Sequence, residues 1–349
     1  MKANHRMRTG LLAAGIVLAV SMAAAQNHTY TAVDLGALRG GSAVPRMVNA
    51  TGAVVGRSGE PHGESTQAFF WKGGKPTGLG FLPGGDYSAA FGVNTAGQVV
   101  GYSNTATVLR GFVWTAAGGM QDIGTLPGDD GSQALGINNS GVIVGSSSGP
   151  SGTHAFARTS SAMLGLGTLP GDNESVAYAV NDSGQVVGYS FGQDHQQAFL
   201  WSPASGMQAL GTLPGQSDST ANFINNNGQV VGASGAAAFS WTEGGGMQNL
   251  GFLPGGDYSQ AYGLNNLGQI VGASGSVLGT HAFIWDAQNG MQDLNGLIQN
   301  PNIVLAGATG INDNGQIVAF GIVASHSKKV ELDHDSHAGP LHVYLLTPH

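Results

Sequence analysis

Seven times along the chain the pattern Asn-x-x-Gly is followed by an apolar pair and a further small residue, beginning at Asn49, Asn94, Asn138, Asn181, Asn225, Asn265 and Asn312. The steps between them are 45, 44, 43, 44, 40 and 47 residues. A fixed period in the forties built from short apolar runs and turn residues specifies a repeat architecture, because each unit is too small to bury its own apolar surface and must stack on its neighbours.

Aligned on the asparagine, each unit reads as four short strands. The first precedes the turn, as in Ala90-Phe91-Gly92-Val93, and the second follows it, as in Gln98-Val99-Val100-Gly101. The third is an Ala-Phe-x-Trp run and the fourth a Gly-Met-Gln-Asp-Leu-Gly run, as at Gly119 to Gly124. All five tryptophans, Trp71, Trp114, Trp201, Trp241 and Trp285, stand two residues after a phenylalanine, on the same strand face as its ring. The strands are apolar on their other face as well, a pattern that belongs to sheets covered on both sides. Blades of a propeller and coils of a solenoid both satisfy it.

The chain ends separate the two. Tyr30 to Gly36 aligns with a fourth strand, whereas His342 to Leu346 aligns with a third strand that has no fourth after it. The ends complement one another, as ring closure requires, while a solenoid would carry polar caps. The expectation is an all-β, seven-bladed β-propeller of ~44-residue four-stranded repeats, its ring closed by the N-terminal strand completing the last blade. One propeller domain is expected over 26–349, with a long loop insertion at about 324–341.

Before it, Lys2, Arg6 and Arg8, an apolar run from Leu11 to Val20, and Ala23-Ala24-Ala25 have the layout of a secretory signal peptide over 1–25, cleaved near Ala25. The protein is therefore expected to be secreted, to the periplasm or the exterior. No later run reaches the ~18 apolar residues of a membrane span. Residues 26–349 carry 9 basic and 20 acidic groups, a net charge of −11, which disfavours nucleic acid and anionic membranes as partners. There is no cysteine, so disulfides and thiolate metal sites are excluded and stability must come from packing. A monomer is expected.

The runs Gly206-Met207-Gln208-Ala209-Leu210-Gly211-Thr212-Leu213-Pro214-Gly215 and Thr280-His281-Ala282-Phe283 resemble the bacterial HAF extracellular repeat family, named for His-Ala-Phe. The resemblance extends from about Tyr30 to Pro348 and implies an exported repeat protein of no established activity. It lapses at Ala157-Arg158, where the tryptophan is lost, and at Leu294-Asn295-Gly296-Leu297, where Leu-Pro-Gly is lost, so less regular packing is expected in those units.

In this strand order, the loops joining strand two to three and each blade to the next share one face, opposite the Asn-x-x-Gly turns. They vary in length, and variable loops on a rigid frame are where binding concentrates. The cross-blade loops carry Asp86, Tyr87, Asp129, Asp130, Asp172, Glu174, Asp218, Asp257 and Tyr258. A carboxylate-ringed rim of this kind suits Ca²⁺ or a hydroxyl-rich ligand such as a glycan, with the tyrosines as stacking partners; Pro-Gly-Asp also simply makes turns. In the insertion, Asp333, His334, Asp335 and His337 have the donor types for Zn²⁺ or a similar metal, although two histidines three apart do not close a site. No resident cofactor is expected. His154 and His281 recur at strand starts and read as structural. Gly145-Ser146-Ser147-Ser148-Gly149 matches Gly-x-Ser-x-Gly, but it reads as a Gly/Ser loop between strands and not as a nucleophile elbow. The leading expectation is an exported scaffold that binds an extracellular glycan or protein through the variable-loop face. The alternatives are a glycan-active hydrolase or lyase using axial carboxylates and histidine, and a purely structural envelope or matrix protein.

Overall fold

The computed structural model describes residues 29–59, 65–323 and 340–349. The signal-like segment and the insertion bearing Asp333, His334, Asp335 and His337 lie outside the described residues. The described chain forms seven antiparallel sheets of four strands, the seven blades of a propeller. Blades one to six span 43–78, 88–122, 131–167, 174–211, 219–249 and 259–293 in sequence order. The seventh takes three strands from Ile303–Ile311, Ile317–Val323 and His342–Pro348 and its fourth, Tyr30–Asp34, from the other end of the chain.

That closure runs from Tyr30 opposite Pro348 to Asp34 opposite Tyr344. The Tyr30 N–H donates to Leu297 O at 2.8 Å, and His342 Nδ1 meets Asp34 Oδ2 at 2.7 Å. The latter repeats, across the seam, the His281–Asp293 pair of blade six at 2.6 Å. Edge groups that would otherwise face solvent are thus satisfied by the opposite terminus. Among the described residues no helix is long and apolar enough to cross a membrane.

The core lies between blades. Val55, Ala68 and Leu79 of blade one pack with Ala90, Val93, Val99 and Phe112 of blade two, and the same set recurs around the ring. The phenylalanines of the third strands, Phe69, Phe112, Phe156, Phe199, Phe239 and Phe283, are buried, each worth roughly 2–3 kcal/mol of transfer free energy. Blade seven puts Tyr344 in that slot, where its hydroxyl is buried without a hydrogen-bond partner among the described residues. The two irregular units keep their places: blade three is complete with Phe156 buried, and the lost Leu-Pro-Gly becomes a single 3-10 turn at Leu294–Gly296, capped by Asp293 Oδ1 accepting from the Asn295 N–H.

Two buried serine columns stitch the blades. In the first, Ser175 Oγ accepts from Ala155 N–H of the preceding blade at 2.9 Å and donates to Gly167 O at 2.7 Å; Ser88, Ser132, Ser219 and Ser259 do the same. In the second, Ser190 accepts from Leu169 N–H at 3.0 Å, as Ser103, Ser147, Ser234 and Ser274 do in their blades. Ser147 belongs to the Gly145–Gly149 motif. That segment lies within the strand Ile143–Gly149, which corrects its reading as a loop and explains the serines as strand residues.

Candidate axial binding site

The seven first strands surround the axis, and along them the repeat builds three successive layers. The first is the asparagine that opens each turn. Its Oδ1 accepts the main-chain N–H four residues on, at 2.9–3.0 Å, and the turn closes on a glycine at φ 73–81° that an L side chain would strain. Its Nδ2 then donates to the carbonyl of the next asparagine: Asn49 to Asn94, Asn94 to Asn138, Asn138 to Asn181, Asn181 to Asn225, Asn225 to Asn265, Asn265 to Asn312, and Asn312 back to Asn49, at 2.8–3.2 Å. The result is a closed hydrogen-bonded ring across all seven blades. Outside it, Asp182 accepts from Asn139 and Asn226; burial pushes its carboxyl pKa up, but these hydrogen bonds outweigh it and hold the value below the ordinary one.

The second layer is apolar. Val48, Val93, Ile137, Val180, Ile224, Leu264 and Ile311, one residue before each asparagine, are all buried and narrow the axis to an iris.

The third layer lies three residues before each asparagine, at Arg46, Phe91, Leu135, Tyr178, Asn222, Tyr262 and Thr309. In every blade the register between first and second strands slips at this residue: Ala134 pairs Gly145 and Gly136 pairs Val144, with Leu135 left over. The same slip leaves over Arg46, Phe91, Tyr178, Asn222, Tyr262 and Thr309. Each is a β-bulge, which re-aims one side chain out of the ladder. All seven line a cavity of about 740 Å³ on the loop side of the iris.

The bulge also accounts for the glycine of Val-Val-Gly. At Gly145 a Cβ would stand 1.8 Å from Gln133 O, and at Gly188 1.9 Å from Val176 O, so any side chain would collide with the bulged strand. Six blades keep the glycine; blade seven has the buried Ala319 there, and its first strand slips a second time, between Leu305 and Gly307.

Second-strand residues extend the wall. Tyr102, Ser146 and Tyr189 line it in blades two to four, whereas blades five and six have Ala233 and Ala273 at this position, so the cavity is lopsided. Arg46 lies 4.7 Å over the Phe91 ring, Phe91 stacks on Tyr102 at 5.2 Å, and Tyr102 on Tyr87 at 6.1 Å, whose hydroxyl accepts from Arg57 Nη1 at 3.2 Å. Two guanidinium groups of blade one are thus held against three rings of blade two. Across from them Tyr178 and Tyr189 meet at 5.7 Å. Burial, reinforced by a neighbouring phenol, pushes Tyr102 and Tyr178 up to about 12, so both keep their protons at neutral pH. The Arg46 side chain is exposed to the cavity.

The loop residues singled out in the sequence are dispersed by comparison. Asp86 accepts from Asn104 Nδ2 at 2.6 Å, at the end of the strand Val99–Asn104. Asp130 receives Arg110 on its carbonyl, and Asp257 and Tyr258 are exposed. Glu174 is half-buried beside Tyr189. Asp129 and Asp172 occupy equivalent positions; the Asp172 side chain is wholly buried, 3.0 Å from His195 Nε2 yet without hydrogen-bond alignment. None of these carboxylates lines the cavity, and Tyr87 alone reaches its wall, through Tyr102. Among the described residues no three His, Asp or Glu groups converge as a metal site would need. His281 is structural, buried and paired with Asp293. A groove of about 980 Å³ between blades five and six is larger, but it lies off the axis and its Gln229 and Asn289 amides are bonded within the protein.

The axial residues carry one sequence signal: a variable residue in an Ala-x-Gly frame three before the asparagine, clear in blades two, three, six and seven and blurred by Met47, Ala179 and Phe223 elsewhere.

Comparison with known proteins agrees at the level of fold. A family model described as "Protein of unknown function (DUF3466)" matches residues 168–341. No curated protein matches the chain. Among solved structures, 143 chains match. A streptogramin B lyase is 12% identical with a TM-score of 0.56, covering 92% of this chain and 98% of its own. A prolyl endopeptidase is 10% identical with a TM-score of 0.56, covering 85% of this chain and 47% of its own. TolB from Acinetobacter baumannii is 11% identical with a TM-score of 0.49, covering 68% of this chain and 62% of its own. The chain is thus a seven-bladed propeller, similar over 168–341 to a family of unknown function.

Proposed function

We propose that this protein is an exported binding module that takes a glycan into the axial cavity from the loop face. The bulge ring carries the reading: seven equivalent positions, uniform in backbone and divergent in side chain, present rings, amides and hydroxyls to one space of about 740 Å³. Flat phenol faces suit the C–H faces of sugars, and Gln133, Asn222 and Ser146 supply polar contacts to hydroxyls. Asp86, Asp130, Asp257 and Tyr258 stand on the same face and would meet the outer residues of a longer chain. Among the described residues the cavity lining has no carboxylate or imidazole, which supports binding over glycosidic cleavage. The signal-like N-terminus and the His-Ala-Phe resemblance support export, which N-terminal sequencing of the envelope or culture fraction would test near Ala25.

The binding test is calorimetry with cellohexaose, chitohexaose and hexagalacturonate, alone and with Ca²⁺ or a chelator. Saturable binding that weakens about tenfold or more in Tyr178→Ala supports the proposal. No binding to any of the three at millimolar concentration, or binding indifferent to both Tyr178→Ala and Tyr262→Ala, overturns it.

A further inference from the structure

The charge inside the cavity is opposite to that of the protein. Residues 26–349 carry a net −11, and the loop face shows Asp86, Asp130 and Asp257. Of the described residues lining the cavity, Arg46 is the one that is charged. It comes from the bulge position, so the backbone distortion that defines the ring delivers it to the axis. Among the described residues no carboxylate forms an ion pair with it. Its neighbours are the Phe91 face and, electrostatically, a second cation, Arg57, with Tyr87, Tyr102 and Tyr262 around them. Arg46 is exposed to the cavity and stacked on a ring, and among the described residues no carboxylate shares its donors, so the fork is left open to an anion that enters.

On these grounds, and resting on the glycan reading above, we infer that the axial cavity selects acidic oligosaccharides, with a uronate carboxylate seated on the Arg46 guanidinium and adjoining sugar rings against Phe91, Tyr102 and Tyr178. A guanidinium offers a planar fork of donors that matches a carboxylate, and stacking on Phe91 holds that fork in a fixed plane. Neutral Tyr102 and Tyr178 hydroxyls add donors without adding negative charge. Blades five and six, with Ala233 and Ala273, leave the space opposite the cationic wall that the remaining sugars would fill. An acidic peptide could meet Arg46 too, but the broad ring-lined wall favours the sugar.

The test is calorimetry of the protein with hexagalacturonate, its fully methyl-esterified counterpart, and hexaglutamate. The expected result is binding of hexagalacturonate, on the order of 10- to 100-fold weaker binding of the ester, and the same loss for hexagalacturonate in Arg46→Met, with partial recovery in Arg46→Lys. Affinity for the acid should also fall between 0.05 and 0.5 M salt, given a screening length of about 10 Å at 0.1 M. Equal affinity for acid and ester, unchanged by Arg46→Met but lost in Tyr178→Ala, would overturn the charge inference while leaving the glycan reading standing. Binding of hexaglutamate with none of either sugar would overturn the charge inference, and with none of cellohexaose or chitohexaose as well it would overturn both. If Arg46→Met lowers the melting temperature, the acid-to-ester ratio measured on wild-type protein alone still decides.

Discussion

The two ends of the propeller axis use the same repeat in opposite ways. At the turn end, one residue type occupies all seven positions, and the asparagines spend their donors and acceptors on one another until the ring closes. Three residues earlier, at the loop end, seven positions with the same bulged backbone carry Arg46, Phe91, Leu135, Tyr178, Asn222, Tyr262 and Thr309, and their chemistry faces a cavity. Uniformity marks where a repeat holds itself together; divergence on a uniform backbone marks where it is free to meet something else.

The comparison breaks most visibly at the seam. Deleting residues 26–38 removes the fourth strand of blade seven and should cost several kcal/mol, a large share of a typical 5–15 kcal/mol margin, seen as a collapsed denaturation midpoint or aggregation. An unchanged midpoint would contradict ring closure. Within the ring, Asn181→Ala strands the Gln185 N–H and takes one of two donors from the Asn225 carbonyl, which keeps the Gly228 N–H, and should cost about 1–3 kcal/mol in urea unfolding. A cost below about 0.5 kcal/mol would mean the asparagines serve turn conformation alone.

Alkaline pH tests both ends at once. Burial raises Tyr30 and Tyr344 at the seam and Tyr102 and Tyr178 at the cavity to about 12, against an ordinary value of 10. Their folded state favours the neutral phenol, so their contribution is complete below pH 10 and is lost as pH rises toward 12. The melting temperature should fall across that window, with tyrosinate absorbance lagging a free-tyrosine control. Smaller still, Tyr344→Phe removes a buried hydroxyl with no partner among the described residues and should stabilise by up to about 1 kcal/mol. Smallest, Leu135→Gln at the cavity should change stability by no more than about 0.5 kcal/mol, because the half-buried side chain can reach the cavity water. A loss comparable to Asn181→Ala would show the cavity ring to be structural.

Much of the fold was legible because its causes are local or periodic. The positive-φ glycines at Gly52, Gly97, Gly141, Gly184, Gly228, Gly268 and Gly315 announce the hairpins, and Tyr30-to-Gly36 with His342-to-Leu346 announces the seam. The serine columns were periodic too, but a hydroxyl such as Ser175 acts across a blade boundary, and its partners, Ala155 N–H and Gly167 O, are fixed only once the blades stack. Aspartates such as Asp86 and Asp130 stand out in a sequence by charge, yet their partners, Asn104 and Arg110, lie 18 and 20 residues away and are set by strand pairing and blade stacking.

The sequence by itself determined the number of blades, the four strands in each and the terminus that closes the ring, since strand periodicity, turn glycines and unpaired edges leave little choice at that scale. Tertiary structure alone decided that Asn49 and Asn312 would meet across 263 residues and that a slip of one residue would turn Arg46, Tyr178 and their counterparts into a lining. A bulge belongs to the pairing of two strands, which tolerates no Cβ at Gly145, 1.8 Å from Gln133 O, and an axis exists only when all seven blades are in place.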